Sequence, residues 1–321
     1  MAHLVESMAY LGQTPWHGLG HQLPAQQPIE VWAKQAGMDW EIRETPVRFI
    51  TGAAGNLGAI ESFPDNKVLF RSDTHAPLSV VSQRYQVVQP RDILEFYRDL
   101  SEISGFELET AGVLKGGRKF WALARTGQSG TLKGKDVSRG YVLLATACDG
   151  TLATTAQFTS IRVVCNNTLA IALGRNDGAV KVPHSTRFEA EAVKKQLGIS
   201  VSGWKDFMDR MKALSERKMK NTEVQRFFLQ VFTDTSSNVR STGTTNESAM
   251  AKALSLYEGR GKGATLPSAQ GTAYGLLNAV TEFVDHERRA RSTDYRLDSA
   301  WFGQGAAIKQ KALEQALLMV A

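Results

Sequence analysis

The sequence predicts an α+β fold: an antiparallel β-sheet with a packed helix in the N-terminal half, and a helical C-terminal half. Up to about residue 160, short alternating runs rich in Val, Thr, Phe and Gly are punctuated by tight-turn signals. Beyond it, apolar residues recur at helical spacing. The 321 residues are 42% hydrophobic and 22% charged, a balance that closes a core without staples and argues against extensive disorder. The expected organisation is a sheet-rich core over 1–160 and a helical region over 161–321 packed on it or extending it.

In chain order, Val47–Thr51, Lys67–Arg71 and Leu78–Ser82 read as strands. Pro90 suits a first helical position, where its missing N–H has no partner to lose. Ile93, Leu94, Phe96, Tyr97, Leu100 and Ile103 give that helix one apolar face, and Gly105 ends it. Phe106–Val113 and Lys119–Arg125 flank Gly116-Gly117, and Tyr141–Ala147 and Thr151–Thr159 flank Asp149-Gly150. Tight turns of this kind oblige their strands to run antiparallel.

After residue 160, helices are expected over Leu169–Leu173, Arg187–Leu197, Trp204–Lys220, Glu223–Phe232, Glu247–Tyr257, Thr272–Arg289 and from about Ala306. Thr233–Asn246 and Glu258–Gly271 read as loops. The last helix carries Ile308, Ala312, Leu313, Leu317 and Leu318, a surface that suits its own chain or a further copy.

No apolar run approaches the eighteen residues of a membrane span, and the start lacks the basic and apolar regions of a secretory signal. A protein of the host cell cytoplasm without membrane contact is expected. Cys148 and Cys165 make neither a disulfide framework nor a four-thiolate zinc site. The net charge is +6, and residues 115–139 are densest, with seven basic side chains against Asp136. Such a stretch attracts polyanions.

Enzyme motifs fail on context. Thr51-Gly52 through Gly58 is similar to a dehydrogenase nucleotide loop, but Pro64 halts the helix that should follow, and Tyr85 and Tyr257 are followed four residues on by Gln89 and Gly261, not lysine. Gly259-Arg-Gly-Lys-Gly-Ala-Thr265 is not a Walker loop, because Leu256 stands where its first glycine belongs. It remains a basic glycine loop able to meet a nucleic-acid backbone. His17 and His21 are spaced i,i+4 across two glycines, which disfavour the helix that would align them. No metal and no cofactor is expected. Phe120, Trp121 and Tyr141 adjoin the basic stretch, and strand alternation leaves a ring for stacking on bases.

Four blocks occur in order: Pro15-Trp-His-Gly-Leu-Gly20, Pro77 through Tyr85, Arg162-Val-Val-Cys-Asn-Asn-Thr-Leu169, and Gly271 through His286, with Trp301-Phe-Gly303 and Lys309 trailing. Together they resemble the phage/plasmid-like protein family, a domain of unknown function. The resemblance implies a mobile-element setting and carries no catalytic residue. In architecture alone, the sheet, packed helix and basic groove are similar to phage single-strand annealing proteins of the RecT, Redβ, Erf and Rad fifty-two groups.

The expected function is single-stranded DNA binding and annealing by a non-enzymatic ring or helical homo-oligomer. Lys115, Arg118, Lys119, Lys133, Lys135, Arg139, Arg162, Arg260 and Lys262 are the candidate phosphate contacts, with Trp121 or Tyr141 ordering bases. Single-stranded DNA, further copies of the chain, and a phage exonuclease or host single-strand-binding protein are the expected partners. The rival is a metal-dependent nucleic-acid-processing enzyme using Asp73, His75, Asp149 or His286; a third reading is a non-catalytic anti-defence factor that binds another protein.

Overall fold

A computed structural model of the chain describes residues 5–12, 20–52, 58–170, 179–197, 201–233 and 246–321. His17, most of the Pro15–Gly20 block, Gly55 and the Thr233–Asn246 loop between its end residues lie outside these. In chain order the elements are β1 (Val5–Leu11), β2 (His21–Leu23), α1 (Ile29–Gln35), β3 (Ile42–Ile50), β4 (Ile60–Arg71), β5 (Pro77–Ser82) and α2 (Pro90–Ser104). Then come β6 (Glu107–Leu114), β7 (Lys119–Leu132), β8 (Asp136–Ala147), β9 (Thr154–Arg162), β10 (Asn167–Ala170) and β11 (Ala179–Val182). Six helices follow: α3 (Ala190–Leu197), α4 (Val201–Glu216), α5 (Asn221–Phe232), α6 (Glu247–Ser255), α7 (Ala273–Glu282) and α8 (Thr293–Phe302), and the chain closes with α9 (Gln304–Leu317). Antiparallel sheets fill the N-terminal half and helices most of the C-terminal half, the class the sequence predicts. Leu169 is an exception: it pairs in β10 with Ser160 and does not start a helix.

The chain forms two compact units. One comprises Met1–Thr126, Val142–Gln157 and Ala179–Gly198; the other comprises Gly127–Tyr141, Phe158–Gly178 and Ile199–Ala321. The strands β7, β8 and β9 each give one end to each unit.

In the sheet unit the strand order runs β11, β9, β8, β7, β6, β1, β2, and a second sheet runs β3, β4, β5. The pairing of β1 with β6 is antiparallel and with β2 parallel. Helix α2 buries Ile93, Leu94, Phe96 and Tyr97. The Tyr97 hydroxyl is shared between the Ala122 carbonyl of β7 (2.8 Å) and the Val142 carbonyl of β8 (3.0 Å). Trp40 packs on Phe120 with ring centroids 5.4 Å apart, and the Arg71 guanidinium covers Trp40 at 4.1 Å. Gly117 must be glycine here: its φ is +94°, and a Cβ would meet the Trp40 ring at 3.1 Å.

The helical unit is built around α7, all ten of whose residues are buried. Two ion pairs lie inside it. The Arg162 guanidinium donates to both carboxylate oxygens of Asp136 at 2.8 and 2.6 Å, and the two side chains are 4% and 1% exposed. The Asp285 carboxylate accepts from Lys309 Nζ (2.7 Å), the Thr168 amide (2.7 Å) and the Thr168 hydroxyl (3.1 Å). Beside it, His286 Nε2 lies 2.9 Å from the Cys165 carbonyl and 3.2 Å from Asn167 Oδ1. Both neighbours are acceptors, so Nε2 carries the proton and donates. The blocks that carry the family resemblance, Arg162–Leu169, Gly271–His286 and Lys309, therefore meet in one buried network.

Three outcomes test this account. Tyr97→Phe removes two buried hydrogen bonds and is expected to lower unfolding free energy by about 1–3 kcal/mol in urea titrations. Lys309→Met leaves Asp285 charged and unpaired, at about 3–5 kcal/mol, whereas Lys309→Met with Asp285→Leu recovers most of that loss. Burial holds the His286 imidazole below its ordinary 6.5. The unfolded chain then takes up this proton first, so stability falls as pH drops from 6.5 towards the lower folded value. His286→Gln should remove that part of the slope in urea midpoints measured between pH 7.5 and 5.5.

Candidate nucleic-acid interface

The basic stretch read as a single hairpin falls into two parts. Lys115, Arg118, Lys119 and Trp121 belong to the sheet unit; Lys133, Lys135, Arg139 and Tyr141 belong to the helical unit. The turn at Lys115–Arg118 precedes the fourteen-residue strand β7, and the turn at Lys133–Lys135 follows it. Four of the proposed contacts face inward. Lys119, Trp121 and Tyr141 are 3%, 2% and 2% exposed, and Arg162 is spent on Asp136. Alternation does not leave a stacking ring on β7, because Phe120 and Trp121 are both buried: this part of the sheet is covered on both faces. Arg118, Lys133, Lys135, Arg260 and Lys262 are exposed, and Lys115 and Arg139 are half-buried.

Arg162 does act on the glycine loop, from beneath. It donates to the carbonyls of Lys262 (3.4 Å) and Gly263 (3.1 Å), while Glu282 accepts the Lys262 amide (2.9 Å) and Leu256 accepts the Gly261 amide (3.0 Å). The amides of Gly261, Lys262 and Ala264 are thus engaged within the protein. The loop's cationic side chains, Arg260 and Lys262, remain exposed.

Charge separates sharply between the units. The helical unit has 22 basic and 15 acidic residues, net +7, and the sheet unit has 16 and 17, net −1. Within the helical unit lies a cavity of about 750 Å³ between the end of α5, α6, the turn after α7 and α9. Among the described residues its wall holds Lys252, Arg288, Arg289 and Lys311 and no carboxylate. Arg288 is held by the Ser299 hydroxyl (2.8 Å) and by Gln304 Oε1, and Lys311 by the Thr233 carbonyl (2.9 Å). Lys252 and Arg289 are exposed and enter no ion pair among the described residues.

The neutral polar groups of the wall add to this. Asn246 Oδ1 accepts the Ala249 amide as the cap of α6 (3.0 Å), and Gln304 Oε1 accepts from Arg288, so both side chains have NH₂ donors left over. Val231, Phe232, Ala249, Phe283, Ala307 and Ile308 supply apolar lining, with Phe232 and Phe283 edge to face at 5.5 Å. Donors and positive charge around an apolar floor suit a ligand rich in anionic acceptors with a flat apolar body. A π-helical turn at Phe283–Glu287, closed by the Arg288 amide on the Phe283 carbonyl (2.7 Å), sets Arg288 and Arg289 at this cavity while Asp285 stays in the buried network. The Arg288-Arg289 pair was visible in the sequence; its convergence with Lys252 and Lys311 was not.

The residues that a nucleophilic or metal-dependent enzyme would draw on are placed as follows. Burial pushes the Cys148 and Cys165 thiols up to about 12, which keeps both protonated and inert. Arg71 holds the Asp73 carboxyl down to about 2, as an ion-pair partner and not an acid–base group. Asp149 is occupied by the amide and hydroxyl of Thr151. Among the described residues, no three His, Cys, Asp or Glu side chains gather as a metal site, and no helix is long and apolar enough to cross a membrane.

No curated protein and no solved structure matches the chain. A family model does, over residues 77–301, which runs from the start of β5 into α8 and takes in the buried network's Arg162, Asp285 and His286. With more than two thirds of its length covered, the chain belongs to the family of the domain of unknown function DUF932.

Proposed function

We propose that the protein binds single-stranded DNA of a phage or plasmid and promotes its annealing as a non-enzymatic ring or helical homo-oligomer. The observation that carries this reading is the donor-lined cavity, with no carboxylate among its described wall residues, in the unit that holds all the net positive charge. Four cations and two amide NH₂ groups suit phosphate and base acceptors; the apolar floor suits an unstacked base. A duplex keeps its bases stacked and cannot offer one to a concave site, so single strands should be preferred. The exposed Lys133, Lys135, Arg260 and Lys262 of the same unit extend the basic surface available to a phosphate chain.

Fluorescence anisotropy with labelled oligonucleotides tests the reading. Affinity for a single strand should exceed that for the matching duplex and fall with salt, at a log–log slope of about −0.7 per neutralised phosphate. Lys252→Ala with Arg289→Ala should weaken binding and flatten the slope by about 1.4. Binding should be indifferent to magnesium or a chelator. Chelator-sensitive cleavage would install the metal-dependent enzyme instead, and absence of any affinity would leave a protein-binding factor.

A further inference from the structure

The sheet unit ends in an arm that has no cover. Strand β5 pairs with β4 only from Asn66 to Phe70, so residues 47–50 and 60–63 form a two-stranded hairpin, in register Val47 with Phe63, Arg48 with Ser62, Phe49 with Glu61 and Ile50 with Ile60. Two strands alone are marginal in water. Yet Phe49, Ile50, Ile60 and Phe63 are 48%, 63%, 66% and 45% exposed. Next to the arm the β3 edge is partly spent: the Gln89 side chain bonds both the amide (2.8 Å) and the carbonyl (3.1 Å) of Ile42, and Pro46 has no N–H to give. The arm's exposed apolar side chains stand on its two faces.

Directly opposed residues share a face and successive ones alternate. One face therefore carries Val47, Phe49 and Phe63 with the acid Glu61; the other carries Ile50 and Ile60 with the base Arg48. Neither Arg48 nor Glu61 enters an ion pair among the described residues. Set against its own kind, either face brings like charges together. Set against the opposite face, it brings apolar surface to apolar surface and Glu61 to Arg48.

We infer that the arm is the self-assembly surface of this protein, each copy laying its Phe49–Glu61 face on the Ile50–Arg48 face of the next. Such a contact is heterologous, and repetition closes a ring or extends a helix. The C-terminal helix is partly spent on its own unit, where Lys309, Ala312, Leu313 and Ala316 of α9 are buried, although Leu318 just beyond it is exposed.

Mass photometry and light scattering on the full chain without DNA test this independently of nucleic-acid binding. The wild type should form particles of several protomers at micromolar concentration. Arg48→Glu and Glu61→Arg should each weaken association roughly ten-fold or more, since each opposes like charges. The double variant should regain the wild-type assembly, and so should an equimolar mixture of the two single variants. Phe49→Asp should abolish assembly with an unchanged circular dichroism spectrum. A monomeric wild type would overturn the proposal, as would assembly indifferent to both charge reversals. Flotation of a monomeric wild type with anionic vesicles would assign the arm to a lipid surface instead.

Discussion

Burial of the Arg162 guanidinium against Asp136 is the constraint on which the helical unit rests. A charge pair withdrawn from water costs several kcal/mol per ion unless every remaining donor and acceptor is engaged. Asp136 accordingly takes the Ser268 hydroxyl, and Arg162 takes the carbonyls of Lys262 and Gly263. Those bonds bind the loop after α6 to the end of β9. The Tyr274 ring of α7 lies 5.4 Å from the same guanidinium. Sheet end, loop and central helix are thereby held by one side chain, and the loop's outward cations follow from where its backbone is tied.

Asp285 repeats the device for the last helix. Its ion pair with Lys309 and its bonds to Thr168 lock α9 to β10. Two residues on, Lys311 falls on the other side of α9 and lines the cavity. One helix thus spends one lysine on cohesion and turns the next to the cavity wall. The same separation holds in the turn after α7, where Asp285 is internal and Arg289 external.

Local signals made much of the fold legible. Gly116-Gly117 and Asp149-Gly150 announced their turns, and the apolar spacing after Pro90 announced α2, because each signal acts within a few residues. Short strands escaped. β10 spans four residues, and its pairing with β9 depends on a partner segment that periodicity cannot reveal. The exposed basic surface was harder for a related reason: Lys119 and Lys135 look alike in a sequence, yet one is buried and the other exposed. Arg162 read as a phosphate contact because its Asp136 partner stands 26 residues away. The cavity's cations come from α6, the turn after α7 and α9, and only tertiary packing brings them together.

The π-helical turn at Phe283–Glu287 has the effect of a phase correction. An α-helix advances about 100° per residue, so a side chain's facing is settled by counting from the helix start. Continued without interruption from α7, that count would tie the direction of Arg288 and Arg289 to the buried sequence Ala273–Glu282. The wider turn inserts an offset between them. Residues before it are free to answer only to the core, and residues after it only to the cavity. Change on one side of the offset can then proceed without re-aiming the other, which lets a single framework carry different cavity-facing side chains.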